Sequence, residues 1–312
     1  MKTLQQSMQD YLAMRRDLGY QLLNAGPALT DFVSFLKNKR TSHITIRMGL
    51  QWAQKAGAQP ATWANRLALV RGFARYRSAS DPQTEVPPPR LLSYRSKRAT
   101  PYLYTDDEVR SLLNACLSLS PNDALRKWTY QGLLGLLAVT GMRLSEALSL
   151  RLSDVDLANA VLTVRGTKFG KSRLVPIHDS TRRVLVRYKS RRNQYLKGRS
   201  ASEFFFVTTR GTRLDKNNVR GTFHSLSRRI GLRGEFDSHG PRLHDFRHRF
   251  AVRTLVRWYR SGKDIEQRLP ALSAYLGHVH PEDTYWYLTA CPELMGEAVK
   301  RLERRWRTAD EK

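Results

Sequence analysis

Several things are scarce in this chain. Its 312 residues include only two cysteines, Cys116 and Cys291. That is too few for a disulfide framework, and both sit in apolar helical contexts that read as buried, reduced thiols. No long uncharged apolar run is available to span or anchor a bilayer. Met1 to Arg16 mixes polar and charged residues and lacks the apolar stretch of a secretory leader, which points to a cytoplasmic protein. Acidic residues are few, 27 Asp+Glu against 54 Lys+Arg. No G-x-x-x-x-G-K-[ST], no G-x-G-x-x-G and no internal repeat occurs, so nucleotide hydrolysis has no visible support.

Hydrophobic residues at 41% and charged residues at 26% describe a globular chain rather than a disordered one. Its length suffices for one large or two ordinary domains, each with its own core. The formal charge of +27 far exceeds what solubility requires. Such a field favours a polyanion, with DNA or RNA ahead of an anionic membrane surface.

Composition changes sharply once. Residues 81–101 hold five of the thirteen prolines and little periodic apolar pattern, and they read as a semi-rigid linker. Before it, residues 1–80 predict four or five short helices. Apolar faces run through Leu4, Met8, Tyr11 and Leu12, then Leu29, Phe32, Val33 and Leu36, then Trp52, Trp63, Leu67, Val70 and Phe73. Thr30-Asp31 and Ser42 read as helix starts, and Gly19, Gly26 and Gly57 as stops. Arg66, Arg71, Arg75 and Arg77 suit a bundle that grips a phosphate backbone. Residues 102–312 form the larger unit. Thr105 to Glu108 opens an acidic helix start, and an apolar helix over 124–140 stops at Gly141. Ala160 to Val164 and Arg173 to Ile177 alternate as a hairpin, Phe204 to Val207 reads as a third strand, and the remainder is helical. The expected fold is therefore mainly α with a small β-sheet (α+β), in two domains.

The chemistry-bearing residues lie mostly in the second unit. Thr-Gly-Met-Arg-Leu-Ser-Glu contains Arg143, and Gly-Thr-Lys-Phe-Gly-Lys contains Lys168. Arg-Leu-His-Asp-Phe-Arg-His contains His244 and Arg247, and Gly-His-Val-His-Pro-Glu-Asp-Thr-Tyr-Trp-Tyr contains His278 and Tyr287. Each residue alone has a bland alternative: a surface arginine paired with Glu146, a basic turn, a packing tyrosine. Together, two arginines, two imidazoles, a lysine and a phenol are the parts needed to break a phosphodiester without a metal. Guanidiniums fork onto non-bridging oxygens, a lysine can protonate a leaving oxygen, and a phenol needs such help to attack phosphorus. His244 and His248 stand four apart and invite a zinc reading, but Arg242, Arg247 and Arg249 would crowd a divalent cation. No metal or cofactor is expected. His239, His248 and His280 read as structural, nucleic-acid-contacting or solvated.

Thr-Gly-Met-Arg-Leu-Ser-Glu-Ala-Leu, Gly-Thr-Lys…Arg-Leu-Val-Pro-Ile, His-Asp-Phe-Arg-His-Arg-Phe-Ala and Leu-Gly-His…Tyr-Trp-Tyr resemble the boxes of the tyrosine recombinases, the phage integrase or Xer-like family. The likeness covers essentially the whole chain, because the helical first unit is similar to that family's core-binding domain. The resemblance implies a DNA clamp of a core-binding domain (1–80), a basic linker (81–101) and a catalytic domain with a tail helix (102–312). It implies that Arg143, Lys168, His244, Arg247 and His278 assemble the site. The resemblance also implies that Tyr287 is the nucleophile, since it follows the Leu-Gly-His histidine by the family's usual nine residues.

The implied reaction is strand cleavage and rejoining through a 3′-phosphotyrosyl link. It would be carried out on paired double-stranded DNA sites by a homotetramer, or by a hetero-tetramer with a related recombinase, in the cytoplasm at the nucleoid. Neither a membrane nor a small-molecule substrate is implied. A non-catalytic DNA-binding regulator and a type IB topoisomerase are the rival readings. In the tail, Leu294, Met295, Ala298, Val299 and Leu302 repeat at helical spacing, a face for the protein's own domain or for a neighbouring protomer.

Overall fold

The computed structural model describes residues 2–22, 24–92, 94, 100–120, 125–165, 172–200, 202–237, 239–278, 280, 282–289, 293–297, 299–300 and 303. They fall into two compact units, Met1–Ala99 and Thr100–Lys312.

The first unit contains four α-helices: α1 (Leu4–Asp17), α2 (Ala25–Asn38), α3 (Ile46–Ala53) and α4 (Pro60–Ser78). Their apolar faces meet in a core of Met8, Leu12, Leu29, Phe32, Leu36, Trp52, Leu67, Val70 and Phe73. Several boundaries differ from the sequence reading. Helix α2 starts at Ala25, so Gly26 lies in its first turn rather than at a stop, and Thr30-Asp31 lies inside it. The Asp31 carboxylate is used across the bundle, accepting from Trp52 Nε1 at 2.7 Å. Helix α3 starts after Thr45, whose hydroxyl caps Met48 N–H, and not at Ser42.

The arginines of α4 are also used differently. Arg77 is buried, donating to Ser7 Oγ at 2.6 Å and pairing with Asp81 at 3.3 Å. Arg71 is spent on the carbonyls of Pro87 and Pro88, and Arg66 donates to Ala53 O. Of the four, only Arg75 is exposed. The start of the proline-rich stretch packs on the same bundle: Glu85 N–H donates to Ile44 O, Thr84 Oγ1 accepts from Ile44 N–H, and Asp81 and Thr84 are buried. Within the stretch read as linker, 93 and 95–99 lie outside the described residues.

In the second unit, α5 (Asp106–Cys116) opens on a Thr105/Glu108 capping box, as the acidic start predicts. The central helix α6 (Arg126–Thr140) is buried along Leu133, Leu134, Leu136 and Leu137 and ends at Gly141, which takes φ +62°. Then come α7 (Leu144–Ser149), β1 (Val155–Asp156), β2 (Val161–Val164), β3 (Arg173–Pro176), α8 (Asp179–Tyr195), α9 (Lys216–Arg229), α10 (Asp245–Arg260), α11 (Ile265–Leu276) and α12 (Glu282–Thr289).

The hairpin pairs β2 with β3 antiparallel, Val164 opposite Arg173. The third strand of the sheet is β1, on the other side of β2, and not Phe204–Val207. That segment makes only isolated bridges to Arg151 and Arg213. Its polar backbone is claimed elsewhere, Val207 N–H by the buried Tyr188 hydroxyl and Val207 O by Thr129, while Phe205 and Phe206 fill the core.

Helix α10 packs on α6 and α11. Its Ala251, Val252 and Leu255 join Leu269, Leu272 and Leu276 of α11, together with Tyr287 and Leu294, in a second cluster. In the tail, Leu294 is buried while Met295 and Val299 are exposed. Ala298 and Leu302 lie outside the described residues. Cys116 is buried and free, and burial pushes its thiol up to about 12, so it is an inert core group. Cys291 lies outside the described residues. No helix among the described residues is long and apolar enough to cross a membrane.

Candidate active site

The site forms where two helices end and two begin. Arg143 is the N-cap of α7, and Arg247 and His244 stand at the start of α10. The left-handed glycines Gly141 and Gly277 close α6 and α11. A helix C-terminus leaves carbonyls unpaired and carries a partial negative charge, so it attracts cations. Both arginines are held in this way. Arg247, 1% exposed, donates to Gly141 O at 3.0 Å and to Leu276 O at 2.6 Å. Arg143 donates to Gly277 O at 3.1 Å.

The two glycines are required twice over. Their φ values of +62° and +68° disfavour a side chain, and a Cβ would meet the Phe250 ring at 2.8 Å or Arg173 Nη1 at 2.7 Å.

Glu146 locks the arrangement. It accepts from Arg143 N–H at 2.8 Å and Nη1 at 2.9 Å, and it takes both terminal nitrogens of Arg173 at 3.1 and 2.8 Å. Arg173 also donates to Tyr275 O at 2.8 Å, tying β3 to the end of α11. Sequence reasoning paired Glu146 with Arg143 but gave Arg173 no role. Only its place in the hairpin box singles it out, because its partners lie 27 and 102 residues away.

Burial works to raise the Glu146 pKa, but the hydrogen bonds and charge of Arg173, then of Arg143, override it and hold the carboxyl below its ordinary value of 4.5. A depressed folded-state pKa contributes stability above the unfolded value and loses it as pH falls through the folded one. Glu146→Gln should therefore unfold more easily than the parent at about pH 7, by about 2–4 kcal/mol. In acid, at about pH 3, the gap should narrow, as urea titrations at the two pH values would show. An equal gap at both would mean that charge is not what Glu146 contributes.

Around Tyr287 the site becomes aromatic. The ring is 2% exposed and packs against His278 (centroids 6.0 Å apart, stacked), His248 (5.4 Å) and Trp286 (5.6 Å). Burial raises its phenol pKa, while the nearby charge of Arg247 pulls it back down. Tyr285, two residues earlier, is 53% exposed. His278 Nδ1 lies 2.6 Å from the buried hydroxyl of Thr284, a partner the sequence reading missed. Burial, then Arg247 and Arg143, push the His278 imidazole down to about 4. His244 opens to solvent, and partial desolvation followed by Arg247 lowers its pKa as well. Arg247 itself is lowered to about 10, by burial first and then by Arg143, so at neutral pH it is still a cation.

The structure thus brings Arg143, His244, Arg247, His278 and Tyr287 into one site, and Lys168 lies outside the described residues. His248, read from sequence as structural, nucleic-acid-contacting or solvated, packs directly on Tyr287. Arg249 and Arg253 turn away and pair with Asp106. Among the described residues no group of three or more His, Cys, Asp or Glu could hold a metal ion.

Known proteins agree with this architecture. Residues 103–293 match the model of the phage integrase family. A protein of Sinorhizobium fredii carrying the name integrase/recombinase y4rB is 54% identical over 98% of this chain and 99% of its own length. Tyrosine recombinase XerC of a Roseiflexus species is 29% identical over 82% of this chain and 78% of its own length. In fold, the chain is similar to the XerH site-specific recombinase, crystallised on palindromic difH substrate as a post-cleavage complex. The TM-score is 0.63 at 18% identity, covering 88% of this chain and 78% of that one. The chain belongs to the phage integrase family, the tyrosine recombinases, enzymes that break and rejoin DNA strands.

Proposed function

We propose that this protein is a site-specific DNA recombinase that cleaves and rejoins strands through a 3′-phosphotyrosyl intermediate. Tyr287 attacks the scissile phosphorus and the 5′-oxygen leaves. Arg143 and Arg247 hold the non-bridging oxygens, where charge develops in the transition state. With the Thr284 hydroxyl donating to Nδ1, the neutral His278 carries its hydrogen on Nε2 and donates it to a phosphate oxygen. His244 helps remove the phenolic proton, and Lys168 protonates the leaving oxygen. The covalent link conserves the phosphodiester energy, so strands rejoin without ATP. The reading extends to four protomers on two duplexes, in the cytoplasm, with residues 1–80 gripping DNA as a core-binding domain joined by the 81–101 linker to the catalytic domain, 102–312.

The observation that carries this reading is the pairing of a buried phenol with a buried guanidinium: Tyr287 at 2% and Arg247 at 1% exposure, with the Arg247 charge acting on the phenol. A tyrosine kept merely for packing does not require a buried cation beside it. A suicide substrate, nicked so that cleavage traps the adduct, tests the reading in the presence of EDTA. Covalent protein–DNA product should form at the parent rate. Loss of activity in EDTA, restored by zinc or magnesium, would sink the mechanism. Site-independent relaxation of a supercoiled plasmid would favour a topoisomerase.

The charge of +27 leads to a second expectation. Lys and Arg contacts to phosphates release counterions, so DNA affinity should fall about 10³-fold or more between about 50 and 200 mM salt. A flat titration by fluorescence anisotropy would contradict a phosphate-wrapping clamp.

A further inference from the structure

One buried group in the site has no part in the reaction as written above. His248 is 9% exposed, and its Nδ1 is buried with no hydrogen-bond partner. Buried polar atoms are almost always satisfied, and an exception beside a reacting group calls for a chemical reason. Three rings surround this imidazole edge to face: Tyr287 at 5.4 Å, Trp286 at 5.2 Å and His244 at 4.8 Å between centroids. Tyr287 is 2% exposed, so little of its ring meets bulk water. His244, four residues before His248, is exposed. His248 therefore stands between a buried proton donor and a solvent-facing imidazole.

We propose that His248 relays the Tyr287 phenolic proton to His244, and through it to water, as the nucleophile attacks. The relay rests on Tyr287 being the nucleophile. In the step, the phenolic O–H bond breaks and its electron pair forms the new Oη–P bond. One ring nitrogen of His248 takes the proton while the other releases one towards His244. The P–O5′ bond breaks, and the leaving oxygen takes its proton from Lys168. Nothing is oxidised or reduced. Only imidazole among the side chains here has two nitrogens that can accept at one edge and donate at the other.

The ionisable groups facing His248 are Arg242, His244, Asp245 and Arg247 from the start of α10, and Tyr287 from α12. Burial, then His244, push the imidazole down to about 4, so at neutral pH it is uncharged and keeps a lone pair for the incoming proton. Low basicity suits a relay, since the proton passes through without resting there.

The test is single-turnover adduct formation by the full chain on a suicide substrate, across about pH 6–9. His248→Phe keeps an aromatic ring and has no nitrogen; His248→Gln is the polar alternative should the first not fold. In either variant DNA affinity should hold within about twofold and adduct formation at neutral pH should fall about 10²-fold. The parent rate should be nearly flat with pH, whereas the variant rate should climb with pH, because hydroxide must now take the proton. A packing defect would lower the rate equally at every pH, and that result overturns the relay.

A substrate with a 5′-bridging sulfur, which leaves without a proton, should rescue Lys168→Ala and leave His248→Phe slow. Rescue of His248→Phe would put His248 on the leaving-group side and overturn the assignment. Peptide mapping of the parent adduct separates the two layers of the argument. A link to any residue other than Tyr287 defeats the nucleophile assignment itself, whereas a Tyr287 link with an unimpaired His248→Phe defeats only the relay.

Discussion

Tyr287→Phe should form no covalent adduct at all. The substitution removes one oxygen and keeps a ring that is 2% exposed and packed against His278, His248 and Trp286. The core it belongs to is otherwise untouched, so folding and DNA binding should survive. Arg247 keeps its two carbonyl partners in the variant. Tyr285→Phe should keep most activity, because the Tyr285 ring is half-exposed on another face of α12. Gel-shifted, protease-sensitive product on a suicide substrate is the readout. Adduct from Tyr287→Phe but not from Tyr285→Phe would move the nucleophile by two residues and undo the site as assembled here.

Arg247→Gln should lower adduct formation by about 10³-fold, as loss of a preorganised charge at a developing oxyanion does. Its effect on stability should be of the opposite kind. The Arg247 pKa is lowered to about 10, chiefly by burial and then by repulsion from Arg143. A base whose folded-state pKa lies below its unfolded value costs the fold free energy wherever it stays charged, which here includes all of neutral pH. A neutral glutamine removes that cost and can still donate to Gly141 O or Leu276 O. Thermal unfolding should therefore leave the midpoint unchanged or raised while activity collapses, the trade-off expected where a site stores unfavourable electrostatics. A midpoint lowered by many degrees would show that Arg247 holds the fold rather than the phosphate.

Much of this was legible along the chain because it is decided locally. The capping box of Thr105 and Glu108 spans four residues, and the stop at Gly141 follows from a left-handed φ that glycine tolerates. The hairpin itself was readable from alternation on both sides of the turn. Local signals also misled. Thr30-Asp31 has the chemistry of a helix start, yet Asp31 serves Trp52 21 residues away. Phe204 to Val207 has the composition of a strand, yet Tyr188 and Thr129 take its backbone and two phenylalanines serve the core better than a sheet edge would. In α4, the four arginines look alike in sequence, but burial against α1 turns Arg77 inward while Arg75 stays in water.

The sequence by itself determined the order and spacing of the site residues, the sign of the charge and the class of chemistry, because boxes, capping motifs and composition are written in neighbouring residues. Only the tertiary structure decided what holds each of those groups. Arg247 is seated on carbonyls 106 and 29 residues away, Arg173 reaches Glu146 from β3, and His248 faces Tyr287 with one nitrogen unpaired. No periodicity announces such contacts, since they arise where helix ends from distant parts of the chain meet and their unpaired carbonyls, too costly to bury alone, draw in the nearest cations.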